Sequence, residues 1–280
     1  MGDENRIVFI GPGVMAEAMV IGLLRHDLAK PGDILLAGPR RERGEELSKQ
    51  YGVSWIEDNG EAASEGDVVV LAVKPQSLKK ALEDIKGKVK KGATLLSIVA
   101  GAPIAKIANG AGHAAVVRSM PNTPGQIGEG ITVWTAQAVS EMQREMAGRI
   151  LGALGETVYM EEETFLDKAT ALSGTGPAYV YLFMEAMVDA GVHLGFPRRV
   201  AEQLVVQTVR GSVDYYSHPE SESHLSRLRN QVTSPGGTSA EALYYLEKAG
   251  FRTAISRAIW AAYERSVELG QDAETHPPSG

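Results

Sequence analysis

Residues 6–16 read RIVFIGPGVMA, and how these residues are read decides the fold of the first half of the chain. Arg6–Ile10 is a short run of β-branched and aromatic residues, which predicts a buried strand. Gly11, Gly13 and Ala16 then satisfy G-x-G-x-x-G/A where the strand ends and an apolar-periodic helix, Val14–His26, begins. In that setting each small residue has a mechanical purpose. Gly11 permits a tight turn, Gly13 lets backbone approach a pyrophosphate, and Ala16 keeps the helix close to the strand. The free N–H groups of the helix start would then face the phosphates. A ligand-free glycine turn could carry the same letters, but the strand–turn–helix setting favours a dinucleotide site.

Outward from this stretch, Asp33–Ala37, Asp67–Ala72 and Thr94–Ile98 are further short apolar runs bounded by Gly, Pro or charge. Arg41–Tyr51 and Gln76–Ile85 lie between them and read as helices. Alternation of this kind makes a parallel sheet with crossover helices, and near-continuous apolar strands fit burial on both faces. Ala114–Arg118 and Gly130–Trp134 are expected to extend the sheet. Ser140 and Gln143 make a capping box ahead of a helix carrying Met142, Met146 and Ile150. Glu156–Tyr159 closes an α/β dinucleotide-binding domain with a mostly parallel sheet, expected over residues 1–160.

After Glu161–Glu163 the strand signals largely vanish. Val180, Phe183, Met184, Met187 and Val188 recur at helical spacing, as do Ala201, Leu204, Val205, Thr208 and Val209. Helices are also expected at 238–249, ending at Gly250, and at Phe251–Leu269, ending before Gly270. The tail 271–280 is expected to fray. The second domain, residues 161–280, is therefore read as all-α.

Composition narrows the function. The 280 residues include no cysteine, which excludes disulfides, thiol catalysis and zinc–thiolate sites. The six histidines are scattered without a HExxH pattern, so no metal site is expected. A net charge of −7 without a basic stripe argues against nucleic acid. No targeting segment opens the chain and no apolar run reaches about 18 residues, so a cytoplasmic protein away from membranes is expected.

The choice of dinucleotide rests on the end of the second strand, Ala37-Gly38-Pro39-Arg40-Arg41. NAD enzymes usually place a carboxylate there for the ribose 2′-hydroxyl, whereas arginine suits a 2′-phosphate. Arg40 is the favoured residue, Arg43 reads as part of a solvated first helical turn, and NADPH is expected over a weaker NADH. Ala72-Val73-Lys74-Pro75 and Ser97–Gly101 follow strands and should line the same cleft. Lys74 could donate a proton, but a phosphate or ribose contact is favoured because Pro75 fixes the backbone. Asn122, in Met120-Pro121-Asn122-Thr123-Pro124, either touches nicotinamide or substrate, or satisfies its own turn.

IGPGVMA, AVKPQ, SIVAG, RSMPNTP, ALSGTGPAYVYLFMEAM and VTSPGGTSAEALYYLEKAGFR, in this order, resemble the pyrroline-5-carboxylate reductases over residues 6–270. The last two motifs are far more specific than the glycine loop. The resemblance implies a Rossmann domain, a helical dimerisation domain, and a homodimer that often builds larger rings. It also implies reduction of L-1-pyrroline-5-carboxylate to L-proline by NAD(P)H, the last step of proline biosynthesis. Carried over by motif, Gly11, Gly13, Val14, Met15 and Ala16 would cradle the pyrophosphate. Asn59, after the third strand, would lie near the adenosine ribose. Ala72, Val73, Lys74 and Pro75 would line the cofactor, with Ala100 and Gly101 near nicotinamide and Gln231 at a position that varies between Asn and Gln. Glu163 matches an acidic position near the substrate. One departure is Ser239, where the family usually has a second Thr: the hydroxyl is kept and the methyl that fixes its rotamer is lost.

The turn Ser234-Pro235-Gly236-Gly237-Thr238-Ser239 carries the substrate reading. Thr238 and Glu241 have capping-box spacing, so a helix should begin here. A cap alone does not need Gly236 and Gly237. Bare glycines let main-chain N–H groups face an anion, so the groups of Gly237–Ser239 are expected to hold the substrate carboxylate. Ser239 or Thr238 would hydrogen-bond the ring nitrogen. Hydride addition to a protonated C=N bond needs positioning more than a strong acid, which accounts for the lack of histidine in these motifs. Ser173–Pro177 is read as helix capping and close packing, and Tyr179 and Met184 as core or dimer interface. A β-hydroxyacid dehydrogenase shares the two-domain plan, but its lysine position after Gly174 and Gly176 is Val180 here. A non-catalytic NADPH-binding scaffold and an enzyme for the six-membered cyclic imine are the other readings weighed.

Overall fold

The computed structural model describes residues 5–218 and 224–275. Eight strands form one sheet: β1 (Ile7–Ile10), β2 (Ile34–Ala37), β3 (Ser54–Ile56), β4 (Val68–Leu71), β5 (Thr94–Ser97), β6 (Val116–Met120), β7 (Gly130–Gln137) and β8 (Gly155–Tyr159). Their spatial order is β3-β2-β1-β4-β5-β6-β7-β8, and every neighbouring pair is parallel except β6–β7. The winding reverses between β1 and β4, which opens a crevice at their carboxyl ends.

Six helices cover the sheet: α1 (Val14–Arg25), α2 (Arg41–Tyr51), α3 (Asn59–Glu65), α4 (Leu78–Ile85), α5 (Ile104–Ala111) and α6 (Glu141–Gly152). Because side chains alternate along a strand, β1 feeds two cores. Ile7 and Phe9 pack with Met19 and Leu23 of α1 and Ile150 and Leu151 of α6. Val8 and Ile10 pack with Ala62 and Ala63 of α3, Leu82 and Ile85 of α4, and Ile107 of α5. Burial on both faces explains why β1, β2, β4 and β5 have no exposed residue. The Ser140 box is present, with Gln143 Oε1 accepting from Ser140 N at 2.8 Å and Ser140 Oγ accepting from Gln143 N at 3.3 Å. The strand expected at Ala114–Arg118 begins two residues later, and the one expected to end at Trp134 runs to Gln137, held by its ladder with β6.

After the sheet come α7 (Phe165–Ala169) and a π-helical turn, Thr170–Gly174. Then follow α8 (Gly176–His193), α9 (Arg198–Tyr216), α10 (Leu225–Gln231), α11 (Thr238–Lys248) and α12 (Phe251–Thr275). The sheet ends at Tyr159, but the compact unit containing it extends to Thr175 and takes in the described residues from Ala261 onward; Gly176–Trp260 is the other unit. Gly270 does not end α12 as expected, and the helix continues to Thr275; residues 276–280 of the expected frayed tail lie outside the described residues. Within the second unit, Val188, Ala201 and Val205 form a small core with Met184, Met187 and Val209 against it. Tyr181, Leu194, Tyr245 and Trp260 leave more than half of their surface exposed. Among the described residues no helix is long and apolar enough to cross a membrane.

Candidate active site

The crevice begins where β1 ends. Gly11 N donates to the Ala37 carbonyl at 2.8 Å and Ala72 N to the Ile10 carbonyl at 2.9 Å, tying the turn after β1 to the end of β2 and the turn after β4 to the end of β1. Gly11 has φ +96°, and a methyl there would stand 2.7 Å from Val73 Cγ1. The fold itself therefore requires glycine at that position. Gly13 differs: its backbone is extended (φ −85°, ψ −178°), and a methyl would meet nothing nearer than the Ala72 carbonyl oxygen at 3.8 Å. Packing does not require Gly13 to be bare. It faces a cleft of about 1150 Å³, large enough for a dinucleotide, whose wall includes Gly11, Gly13, Val14 and Met15. Ala16 is fully buried in the core, so it holds α1 near β1 and does not line the cleft as the motif suggested.

Three arginines follow β2, and the structure separates them. Arg41 pairs with Glu57 at 3.6 Å and Glu45 at 4.0 Å, with its guanidinium 5.9 Å from the Trp55 ring. Arg43 is not a solvated residue. It is bonded to Glu17 of α1 and to Glu46 at 2.7 Å, and the Glu46 bond, opposed by burial and reinforced by Glu17, holds its pKa above the usual value. Tyr51 donates to the same Glu17 at 2.8 Å; burial, then this bond, pushes its phenol up to about 12. Arg40 lines the cleft, and no carboxylate pairs with it among the described residues.

Asn59, Ala72, Val73 and Lys74 also line the cleft, with Lys80, Asp84 and Lys88 from α4 and the turn beyond it. Asn59 Nδ2 donates to Asp84 Oδ2 at 3.0 Å, while its Oδ1 is buried without a donor among the described residues. Arg40, Lys74, Lys80 and Lys88 offset Glu57, Asp58 and Asp84, which suits an anionic ligand. Bare Gly13, the α1 N-terminus and a buried acceptor with no partner fit a dinucleotide. Pro75 starts a one-turn 3₁₀ helix and does not line the cleft. After β5 only Ile98 reaches it. Ala100 and Gly101 do not; Gly101 lies against α12, where a methyl on it would stand 3.1 Å from Leu269 Cβ. Asn122 lines the cleft, but both ends of its amide are occupied: Oδ1 accepts from Ile131 N at 3.0 Å and Nδ2 donates to the Ser173 carbonyl at 3.3 Å.

Sequence reasoning missed the cluster around Arg118. This side chain in β6 is 4% exposed; Nη1 donates to Glu163 at 2.9 Å and Nη2 to Asp167 at 2.9 Å. Glu163 also accepts from Ile104 N, and Asp167 from Ser266 Oγ of α12. Glu163, expected near the substrate, is thus committed to a buried cation, which must be paired to remain charged. The same bonds remove Arg118 as a holder of a ligand carboxylate. Among the described residues no cluster of three His, Asp or Glu side chains could hold a metal.

In the second unit, Gln231 ends α10 with its side chain exposed. The turn that follows is built as a main-chain structure. Gly236 sits at φ +70°, and Gly237 N donates to the Ser234 carbonyl at 3.0 Å. That bond removes Gly237 from the expected carboxylate-holding set. Gly237, not Thr238, is the N-cap of α11, and no side chain caps the helix. The Thr238–Glu241 box therefore does not form, because Thr238 is already the first helical residue. The amides of Thr238 and Ser239 have no partner among the described residues, and their hydroxyls sit beside them.

Two family sequence models match. One, described as pyrroline-5-carboxylate reductase dimerisation, covers residues 163–269; the other, described as NADP oxidoreductase, coenzyme F420-dependent, covers residues 6–101. A pyrroline-5-carboxylate reductase of Synechocystis sp. is 41% identical over 94% of this chain and 97% of its own length. One of Pseudomonas aeruginosa is 38% identical over 95% and 97%. Among solved structures, the Plasmodium falciparum pyrroline carboxylate reductase with NADP bound superposes with a TM-score of 0.87 at 33% identity, covering 96% of this chain and all of that one. With identity at this level over nearly the full length of both chains, this chain belongs to the pyrroline-5-carboxylate reductase family.

Proposed function

We propose that this chain reduces L-1-pyrroline-5-carboxylate to L-proline, with NADPH preferred over NADH. The observation that carries the activity is the near-full-length identity to relatives of that name. The geometry supports the assignment of roles. Gly13, Val14, Met15 and the α1 N-terminus hold the pyrophosphate, Asn59 the adenosine ribose, and Arg40, left unpaired while Arg41 and Arg43 are engaged, the 2′-phosphate. When bound, the reduced nicotinamide supplies a hydride to the C=N carbon. Thr238 and Ser239 hold the substrate carboxylate through their main-chain N–H groups. The Ser239 or Thr238 hydroxyl accepts a hydrogen bond from the protonated ring nitrogen and keeps it as the nitrogen becomes an amine. The protonated nitrogen makes the carbon electrophilic, so no separate strong acid is needed.

The test is turnover. Purified protein mixed with NADPH and pyrroline-5-carboxylate should consume the reduced nicotinamide absorbance; intact NADPH binding without turnover would make the chain a binding protein. Arg40→Ala should raise the KM for NADPH about tenfold and leave that for NADH nearly unchanged, since a charged hydrogen bond contributes about 1.5–3 kcal/mol. Retained NADPH preference in that variant would reassign the phosphate site. Assembly beyond a dimer into a ring, and a cytoplasmic location, belong to the same proposal. The exposed apolar side chains of the helical unit support assembly, which light scattering would measure.

A further inference from the structure

The π-helical turn Thr170–Gly174 is an unusual element to find in a cleft wall, and its surroundings hold it in place from several directions. Thr170 Oγ1 donates to the Leu166 carbonyl at 2.8 Å, Ser173 Oγ to Ala169 at 3.0 Å, and Thr175 Oγ1 to Thr170 at 2.9 Å. Asn122 fastens the Ser173 carbonyl from the side of the sheet. Arg118 fixes the preceding helix α7 through Asp167. The result places Gly174 in the wall directly against Met120, which also lines the cleft. A methyl on Gly174 would stand 2.7 Å from Met120 Cε, with Met120 Cγ at 3.6 Å and the Ala169 carbonyl at 3.8 Å. The backbone of Gly174 does not have positive φ, so its glycine answers a need for space and not for conformation.

The topology says which part of a dinucleotide would lie there. Arg40 and Asn59 follow β2 and β3, on one side of the β1/β4 switch point; Ile98 follows β5 and Met120 ends β6, on the other. A dinucleotide straddles that point, so with its adenosine at Arg40 its nicotinamide lies toward Ile98 and Met120. We infer that Gly174 and Met120 act together as a positioning pair: the bare Cα of Gly174 lets the Met120 side chain lie against the π turn instead of in the cleft, and this sets the room in which the nicotinamide ring is held. The inference rests on the cofactor reading above.

Gly174→Ala tests it because the only close contact is the tip of a flexible side chain, which can move without unfolding the protein. The displaced thioether has the open cleft to enter. In full-length Gly174→Ala, the melting temperature and the NADPH dissociation constant measured by fluorescence titration without substrate should stay close to the parent's. The emission of the bound reduced nicotinamide should shift, and kcat should fall by about tenfold to a hundredfold, as expected for a misplaced reacting ring. Adding Met120→Ala to Gly174→Ala should restore most of kcat, a coupling that general destabilisation would not produce. Unchanged kcat in Gly174→Ala, or a loss that Met120→Ala does not rescue, overturns the inference. A parent protein that binds no NADPH would instead overturn the cofactor reading, and the inference with it.

Discussion

Gly11 and Gly13 occupy the same motif for different reasons, and only atomic detail separates them. At Gly11 the left-handed backbone and the nearby Val73 methyl forbid a side chain. Gly11→Ala is expected to destabilise the fold by about 1–3 kcal/mol. Gly13→Ala should melt with the parent, because the backbone is extended and the space is open, yet bind NADPH more weakly. Thermal melting paired with NADPH titration separates the two, and parental affinity in Gly13→Ala would remove the ligand from its explanation. The arginines show how far sequence reading reaches at this scale. Arg40, Arg41 and Arg43 look interchangeable in a window: Glu45 and Glu46 lie within it, but Glu17 on α1 and Glu57 beyond β3, which complete the pairing of Arg43 and Arg41, do not. That Arg40 faces the cleft was legible from its place at the strand end; the role of Arg43 in holding α2 to α1 was not.

Helix starts make a matched pair of predictions at the scale of elements. Ser140 caps α6 with its hydroxyl, so Ser140→Ala should cost about 1 kcal/mol in urea unfolding. Thr238 has the same sequence signature but sits inside α11, so Thr238→Ala should leave stability within about 0.5 kcal/mol of the parent. A larger loss at Thr238 would mean that its hydroxyl does cap the helix. The strand ends allow a pH prediction. Asp67 joins the ends of β1 and β4 by accepting from Arg6 N at 2.9 Å and Lys90 Nζ at 2.8 Å. Burial would raise its carboxyl pKa, but these two bonds outweigh it and hold the value below the ordinary range. A depressed pKa contributes stability above the ordinary value of about 3.9 that is lost as pH falls through the folded one. Asp67→Asn should therefore be about 0.5–1 kcal/mol less stable than the parent at neutral pH, with the gap closing as pH falls below the ordinary carboxyl value. Most elements of the sheet were legible because their cores impose clear periods. β3 has three residues, too few to show one. α3 and α5 were overlooked although each had a signal: Asp58 three before Glu61, and Ile104, Ile107 and Ala111 on one face.

At the scale of the whole molecule, the order of motifs along the chain was readable, whereas the cluster that ties sheet, α7 and α12 together was not. Arg118, Glu163, Asp167 and Ser266 are separated by 45 to 99 residues across their bonds, so no sequence window contains them. Each also looks ordinary where it stands: an arginine at a strand end, two acids near a helix start, a serine on an amphipathic helix. The same contacts explain why the compact unit of the sheet reclaims residues beyond Ala261 despite an unbroken helix α12. The physical weight of the cluster follows from its burial. Removing one partner of a buried ion pair costs about 3–5 kcal/mol, because the remaining charge loses its compensation. Arg118→Met leaves two carboxylates unpaired, and the expected loss is about 3 kcal/mol, at the low end because Glu163 is one-third exposed. Arg118→Lys keeps the charge but gives up the planar fork that reaches both acids, so its loss should be smaller. Combining Arg118→Met with Glu163→Gln and Asp167→Asn should recover much of the stability, since no buried charge is then left alone. Urea unfolding of these variants decides the point: an Arg118→Met protein as stable as the parent would show that the cluster does not hold the sheet and α12 together.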